Sequence, residues 1–288
     1  MSKIFSLIQY VLPHYFLSRL IGVLADGKVA KNILIGLFIR IYKVDLSEAQ
    51  NDTIAEYQNF NAFFTRKLKE NARPISDNPS LIISPADGKL VAAGKIKGSQ
   101  LIQAKNHYFS SQDLLGGDNT LAGAFNDGNF ATVYLSPRDY HRVHMPLQGI
   151  LLKTIHIPGR LFSVGDATSS NIPNLFARNE RLVCVFENNK SLFCLILVGA
   201  MIVSGIRTVW SVDTKNSING SKIQEIDYTS QKLQVKLEKG EEVGHFELGS
   251  TVIALFEEGL MELDSDIIIN TVIKMGEPLG RIFEKGKY

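Results

Sequence analysis

Near residue 80 the chain changes texture, and no other feature constrains its fold as tightly. Downstream, short apolar segments alternate with turn signals at Asp87-Gly88, Gly116-Gly117, Asn126-Asp127-Gly128, Pro158-Gly159, Asn219-Gly220 and Lys239-Gly240. Punctuation this frequent leaves room for strands and little room for long helices. Residues 130–135 read as strand, and residues 232–237 alternate strictly between polar and apolar side chains. Residues 191–206 are uncharged, rich in Ile, Val and Leu, and broken by Gly199. A spanning helix takes about 20 apolar residues, so this stretch is expected to form two buried strands.

Upstream the spacing is helical. Ile4, Leu7, Ile8, Val11, Leu12 and Tyr15 share one helical face, and Leu17, Leu20, Ile21 and Leu24 repeat the pattern after Pro13. Asp26-Gly27 then punctuates the chain, residues 29–42 form a second apolar helical stretch, and residues 59–71 read as a third helix stopped by Ala72-Arg73-Pro74. Residues 1–45 carry six basic side chains against two acidic ones, although the whole chain is only +2. The longest uncharged run here, residues 4–18, is too short to span a bilayer and contains a proline. Helices lying in the membrane interface fit better, with lysines and arginines reaching anionic head groups. Each such charge is worth about 1 kcal/mol, whereas each fully buried apolar side chain contributes about 1.5–3 kcal/mol. The hydrophobic term therefore dominates. The competing reading is an ordinary helical subdomain packed on the body. The expected fold is α+β: amphipathic N-terminal membrane-binding helices over residues 1–75, followed by a mostly antiparallel β catalytic body over residues 76–288.

Composition removes several function classes. Hydrophobic residues at 45% and charged residues at 21% exclude wholesale disorder. A net charge of +2 argues against a nucleic-acid partner. Cys184 and Cys194 sit ten apart in apolar runs and could face each other across a hairpin; buried core thiols in a reducing compartment are expected. No secretory signal is expected, because Pro13-His14 interrupts the first apolar run and no small-residue cleavage site follows.

Few residues carry candidate chemistry. His141 and His144 lie in Tyr140-His141-Arg142-Val143-His144-Met145-Pro146, but no third ligand has matching spacing, so no metal site is expected. Asp87 stands in a common Asp-Gly turn, which structure alone explains; its functional reading is an acid that orients a histidine. Ser250 follows Gly249 in Leu248-Gly249-Ser250-Thr251. Read blandly, this is a turn or bulge. A glycine before serine also leaves its carbonyl open to the neighbouring hydroxyl, as an N→O acyl shift requires. A G-x-S-x-G elbow is absent.

The Leu248-Gly249-Ser250-Thr251 stretch resembles the self-cleavage motif of the phosphatidylserine decarboxylases. Seven further blocks resemble that family in order: Phe63-Phe64-Thr65-Arg66-Lys67-Leu68 with Arg73-Pro74-Ile75, Pro85-Ala86-Asp87-Gly88, the Tyr140–Pro146 segment, Pro158-Gly159-Arg160-Leu161-Phe162-Ser163-Val164, Leu175-Phe176-Ala177-Arg178-Asn179-Glu180-Arg181, Val198-Gly199-Ala200-Met201 and Met275-Gly276-Glu277-Pro278-Leu279-Gly280. Residues 204–240 match less closely. The resemblance implies a zymogen in which Ser250 attacks Gly249, with His144 as general base and Asp87 orienting it. β-Elimination and hydrolysis then leave a large chain, 1–249, and a small chain, 250–288, that begins with a covalent pyruvoyl group. That group would replace pyridoxal phosphate, decarboxylating phosphatidylserine to phosphatidylethanolamine through a Schiff base. His141 would assist decarboxylation and Ser163 would line the head-group site. The implied setting is the cytoplasmic face of the cell (inner) membrane, peripherally bound, with the processed pair forming a homodimer and no metal involved. A Ser-His-Asp lipid hydrolase and a non-enzymatic membrane scaffold are the alternatives, and both predict an intact chain.

Overall fold

The computed structural model describes residues 6–7, 9–10, 12, 18, 22–27, 30–104, 107–201, 205–210, 212–214, 222–230, 234–247 and 250–283. Its strands, in chain order, are β1 (Leu81–Ile83), β2 (Gly88–Lys95), β3 (Gln100–Ala104), β4 (His107–Ser110), β5 (Asn129–Leu135), β6 (Arg142–His144), β7 (Gly149–Ile157), β8 (Arg181–Asn188) and β9 (Ser191–Gly199). There follow β10 (Gly205–Thr208), β11 (Gln224–Asp227), β12 (Lys236–Leu237), β13 (Glu242–Glu247), β14 (Ser250–Phe256), β15 (Met261–Leu263), β16 (Thr271–Ile273) and β17 (Pro278–Ile282). A nine-stranded sheet runs β11-β7-β8-β9-β14-β5-β2-β16, with β12 beside β7, and smaller sheets run β1-β17-β15 and β10-β13-β6. Paired strands are antiparallel throughout, as expected.

Strand β14 shows why apolar runs here do not alternate. All seven of its residues are buried. Val252, Ala254 and Phe256 join the core on one face of the sheet, and Ile253 and Leu255 join the core on the other. A strand covered on both faces reads as a continuous apolar segment. Of the two buried strands expected over residues 191–206, the first is present as β9, whereas β10 begins only at Gly205, exposes Arg207 and belongs to another sheet; residues 202–204 lie outside the described set.

Two expectations need correcting. The β8–β9 hairpin forms, but Cys184 opposes Leu195 and Cys194 opposes Val185. The two thiols therefore point to opposite faces, one into each core, and cannot face each other. Burial pushes both thiols up from their ordinary range. The helix expected over residues 59–71 stops early, as α2 (Phe60–Phe64). Asn59 caps it by accepting from the Ala62 amide at 2.8 Å. It ends because the Arg66 guanidinium turns inward to the carbonyls of Arg138 and Asp139, at 2.8 and 3.2 Å. Lys67 and Lys69 then pair with Gln50 and Glu48. Tertiary hydrogen bonds outweigh helix propensity there.

Within the helical arm, α1 (Lys31–Tyr42) matches the second apolar stretch. Ile35 is its buried residue, packed in a small core with Ala25, Val44, Tyr57, Phe60, Phe63 and Phe64. Ile33, Leu37 and Ile41, at one helical spacing, remain exposed at 72%, 54% and 61%. Among the described residues no helix is long and apolar enough to cross a membrane. Of the first two apolar repeats only Leu7, Leu12 and Leu24 lie within the described residues.

Candidate active site

Ser250 is the first residue of β14 and lies between Leu135 of β5 and Gly199 of β9. It is 1% exposed, and among the described residues its hydroxyl has no hydrogen-bond partner. A buried hydroxyl without a partner is destabilising by about 1–3 kcal/mol, so such an atom calls for a chemical explanation. Leu248 and Gly249, the first half of the Leu248–Thr251 stretch, lie outside the described residues.

The histidine segment runs beside the strand that leads into this position. His144 ends β6 and pairs with Glu242 of β13, while the Phe246 amide donates to the His141 carbonyl at 3.2 Å. Phe246 is four residues from Ser250, a span of at most about 14 Å of extended chain. Arg142 secures the pairing, donating to both Glu242 carboxylate oxygens at 2.7 and 2.8 Å and to the Thr65 carbonyl at 2.9 Å.

Each histidine is held in one tautomer. His144 Nδ1 lies 2.8 Å from the Gly240 carbonyl, which only accepts, so Nδ1 carries the proton. Nε2 is then the basic nitrogen, and it accepts from the Tyr140 hydroxyl at 3.0 Å. Burial holds His144 below its ordinary pKa, although the nearby charges of Glu242 and Asp87 oppose the shift. His141 is fully buried, and its Nδ1 donates to the Asp139 carbonyl at 2.8 Å. Its Nε2 has no partner among the described residues, and its ring lies against Phe64 with centroids 4.0 Å apart. Burial, reinforced by the Arg66 charge, lowers its pKa to about 3.

Asp87 precedes β2, where Gly88 is required: a Cβ there would stand 2.2 Å from the Tyr134 carbonyl oxygen. Its carboxylate accepts from Arg73 Nε at 2.9 Å, from Arg73 Nη2, and from the Met275 amide at 2.9 Å. It does not bond to His144; the Gly240 carbonyl sets that tautomer instead. The two residues are joined through backbone, since the His144 amide donates to the Pro85 carbonyl at 2.8 Å. Asp87, Arg73, Tyr140, Asp139, Arg66 and Lys274 line one polar cleft of about 300 Å³.

Ser163 is half-buried in the loop after Arg160, and its amide donates to Gln9 Oε1 at 3.0 Å. Asn179 ties this loop to the serine's neighbour: it bonds Phe162 through both its amide oxygen and nitrogen and donates to the Gly199 carbonyl at 2.9 Å. Asn179, Tyr140 and Arg73 gain roles that sequence reasoning missed, although each lies within a block already singled out. Among the described residues no three His, Cys, Asp or Glu side chains cluster as metal ligands.

The family described as phosphatidylserine decarboxylase matches residues 60–281, and a second, described as PSD, matches residues 4–43. A phosphatidylserine decarboxylase proenzyme of Ectopseudomonas mendocina (strain ymp) is 47% identical over 281 residues, covering 97% of this chain and 98% of its own. One from Pseudomonas aeruginosa (strain LESB58) is 46% identical over 96% of each chain. Another, from Alcanivorax borkumensis, is 47% identical over 100% of this chain and 99% of its own. With matches of this length spanning both the helical arm and the β body, the chain belongs to the phosphatidylserine decarboxylase family.

Proposed function

We propose that the chain is a self-cleaving phosphatidylserine decarboxylase that converts phosphatidylserine to phosphatidylethanolamine and CO2. The observation that carries this reading is the buried Ser250 hydroxyl, without a partner among the described residues, at the head of the central strand and directly after the strand paired with the histidine segment. Ser250 Oγ attacks the Gly249 carbonyl carbon, forming a C–O bond as the peptide C–N bond breaks. The hydroxyl proton passes to His144 Nε2 and on to the departing nitrogen. Removal of the Cα proton of residue 250 then expels the Gly249 carboxylate, and hydrolysis with loss of ammonia leaves the pyruvoyl group.

Asp87 acts on His144 in this reading through its charge, which favours the protonated imidazole that forms during transfer. A group made from Ser250 fits its surroundings, since the ladders to β5 and β9 hold that position on both sides. Once formed, the pyruvoyl supplies the electron-withdrawing carbonyl that accepts the electrons CO2 leaves behind. His141, neutral and donating through Nδ1, offers Nε2 only as an acceptor, so it orients the substrate amine rather than donating a proton. Ser163 lines the head-group site.

The protein binds peripherally to the cytoplasmic face of the cell membrane, and residues 1–75 form its attachment arm on the 76–288 body. The exposed Ile33, Leu37 and Ile41 stripe beside Arg40 and Lys43 supports that attachment. The homodimer rests on the family resemblance alone.

Denaturing electrophoresis with intact mass measurement tests the reading in one run. The expected products are chains 1–249 and 250–288, the smaller blocked at its N-terminus and shifted by borohydride. An active, unbroken 32.0 kDa chain, or a free N-terminal Ser250, overturns it.

A further inference from the structure

Among the described residues, Asp87 is held by partners that the self-cleavage chemistry does not use. Arg73 grips both carboxylate oxygens, and its side chain is 6% exposed against 10% for Asp87. The same guanidinium donates to Glu48 Oε2 at 2.9 Å, and Glu48 Oε1 accepts from Lys274 at 3.1 Å. The Met275 amide donates to Asp87 at 2.9 Å. Burial alone would lower the Arg73 pKa, but the hydrogen bonds and charges of Asp87 and Glu48 outweigh it and raise the group. A planar fork fixed this way sets both the position and the orientation of its carboxylate.

Two of these contacts come from the far side of the cleavage point. Lys274 and Met275 follow β16 and belong to the small chain, 250–288. Their segment is docked closely: the Gly276 amide donates to the Ser84 carbonyl at 3.1 Å, and the Ser84 amide donates to the Glu277 carbonyl at 2.7 Å. Gly276 has a φ of +92°, and a Cβ there would stand 2.9 Å from the Pro74 carbonyl, next to Arg73.

We infer that Arg73 is a positioning residue for self-cleavage, fixing Asp87 together with the Met275 amide, so that the acid is in place only once residues 271–277 have docked. The inference rests on the self-cleavage reading above and adds a requirement to it. The triad residue Asp87 is assembled by chain that lies downstream of the bond to be cut, and processing therefore waits for a finished C-terminal segment.

Cell-free translation of the full chain, with cleavage followed over time on denaturing gels, tests this. Arg73→Ala is expected to slow cleavage by about a hundredfold, the order of loss seen when a reacting group is misplaced by about 1 Å. Low-millimolar guanidinium should restore part of that rate, and Arg73→Lys, which keeps charge without the fork, should fall between. Glu48→Gln and Lys274→Met should each slow cleavage several-fold. Arg73→Ala cleaving at the wild-type rate, or slowed without any rescue by guanidinium, overturns the inference. If Arg73→Ala does not fold, the Glu48 and Lys274 variants decide, since both side chains are nearly half exposed; wild-type rates in both overturn it. A wild-type chain that fails to cleave defeats the parent reading instead, so the two failures are distinct.

Discussion

Replacing Tyr140 by phenylalanine should accelerate self-cleavage. In the precursor geometry His144 donates through Nδ1 to the Gly240 carbonyl, which leaves Nε2 as its only basic position. The Tyr140 hydroxyl occupies that position at 3.0 Å. Burial raises the phenol above its ordinary pKa, so it remains a donor throughout the physiological range. Before Nε2 can take the Ser250 proton, this bond must open. A typical intramolecular hydrogen bond is worth about 1 kcal/mol net. At about 1.4 kcal/mol per tenfold in rate, its removal should speed cleavage about fivefold. The phenylalanine ring fills the same space, so the thermal midpoint should move little. Cleavage is read as the ratio of intact to processed chain after a short translation pulse at 25 °C. A rate unchanged or slower than wild type, in a variant of unchanged thermal midpoint, would refute Nε2 as the acting base.

Four further outcomes follow from the same geometry. His144→Ala should leave the chain uncleaved, whereas His141→Ala should cleave and then fail in decarboxylation; identical behaviour of the two on gels and in CO2 release removes the division of labour. Ser250→Ala should abolish cleavage and activity together, and Ser250→Cys should retain slow cleavage through an N→S shift, both visible by intact mass. Leu37→Glu combined with Ile41→Glu should weaken binding to anionic vesicles by about a hundredfold or more, from about 1.5–3 kcal/mol per apolar side chain, while cleavage continues; unchanged sedimentation with vesicles contradicts the α1 attachment. Burial lowers the pKa of His141 from 6.5 to about 3, so the unfolded chain takes up that proton first. Its contribution to stability is complete above about pH 6.5 and is lost toward about 3, at up to about 1.4 kcal/mol per pH unit. His141→Gln should flatten the acid limb of urea denaturation, and an unchanged limb contradicts the buried neutral ring.

Deleting residues 1–45 would be a poor test of the arm, for a reason legible only in three dimensions. Ala25, Ile35 and Val44 pack on Phe60, Phe63 and Phe64, and Phe64 carries the His141 ring. Apolar periodicity shows that α1 has an apolar face, but not that one side chain of it, Ile35, supports the site while Ile33, Leu37 and Ile41 face outward. The β body was legible because turn dipeptides and continuous apolar runs are local signals, and β14 and β9 lie where those runs predict. Asp87, His144 and Ser250 stood out through blocks of residues, yet their partners did not. Arg73 is 14 positions from Asp87, but Met275 is 188 away. No local period links such residues; the pairing of β16 with β2 brings them together. The early end of α2 has the same origin, since Arg66 is drawn off its helix by carbonyls more than 70 positions away.

The position of the proposed scissile bond also has a physical logic. Strand β13 ends at Glu247 in the small β10-β13-β6 sheet, and β14 begins at Ser250 in the nine-stranded sheet. A break before Ser250 leaves every rung among the described residues of both ladders in place. Strand β14 keeps seven residues paired to β5 and seven to β9. Val252, Ile253, Leu255 and Phe256 remain buried, worth about 6–12 kcal/mol at about 1.5–3 kcal/mol each. The same small chain also keeps β16 on β2 and β17 on β1. A cut inside β14 would instead release paired backbone and apolar surface to water. In the proposed cleavage the new N-terminus stands where Ser250 stands in this structure, between Leu135 and Gly199, with His141 and His144 held by β13. On the proposed reading the precursor builds the site that the processed pair uses, and the chemistry changes residue 250 without requiring the fold to change.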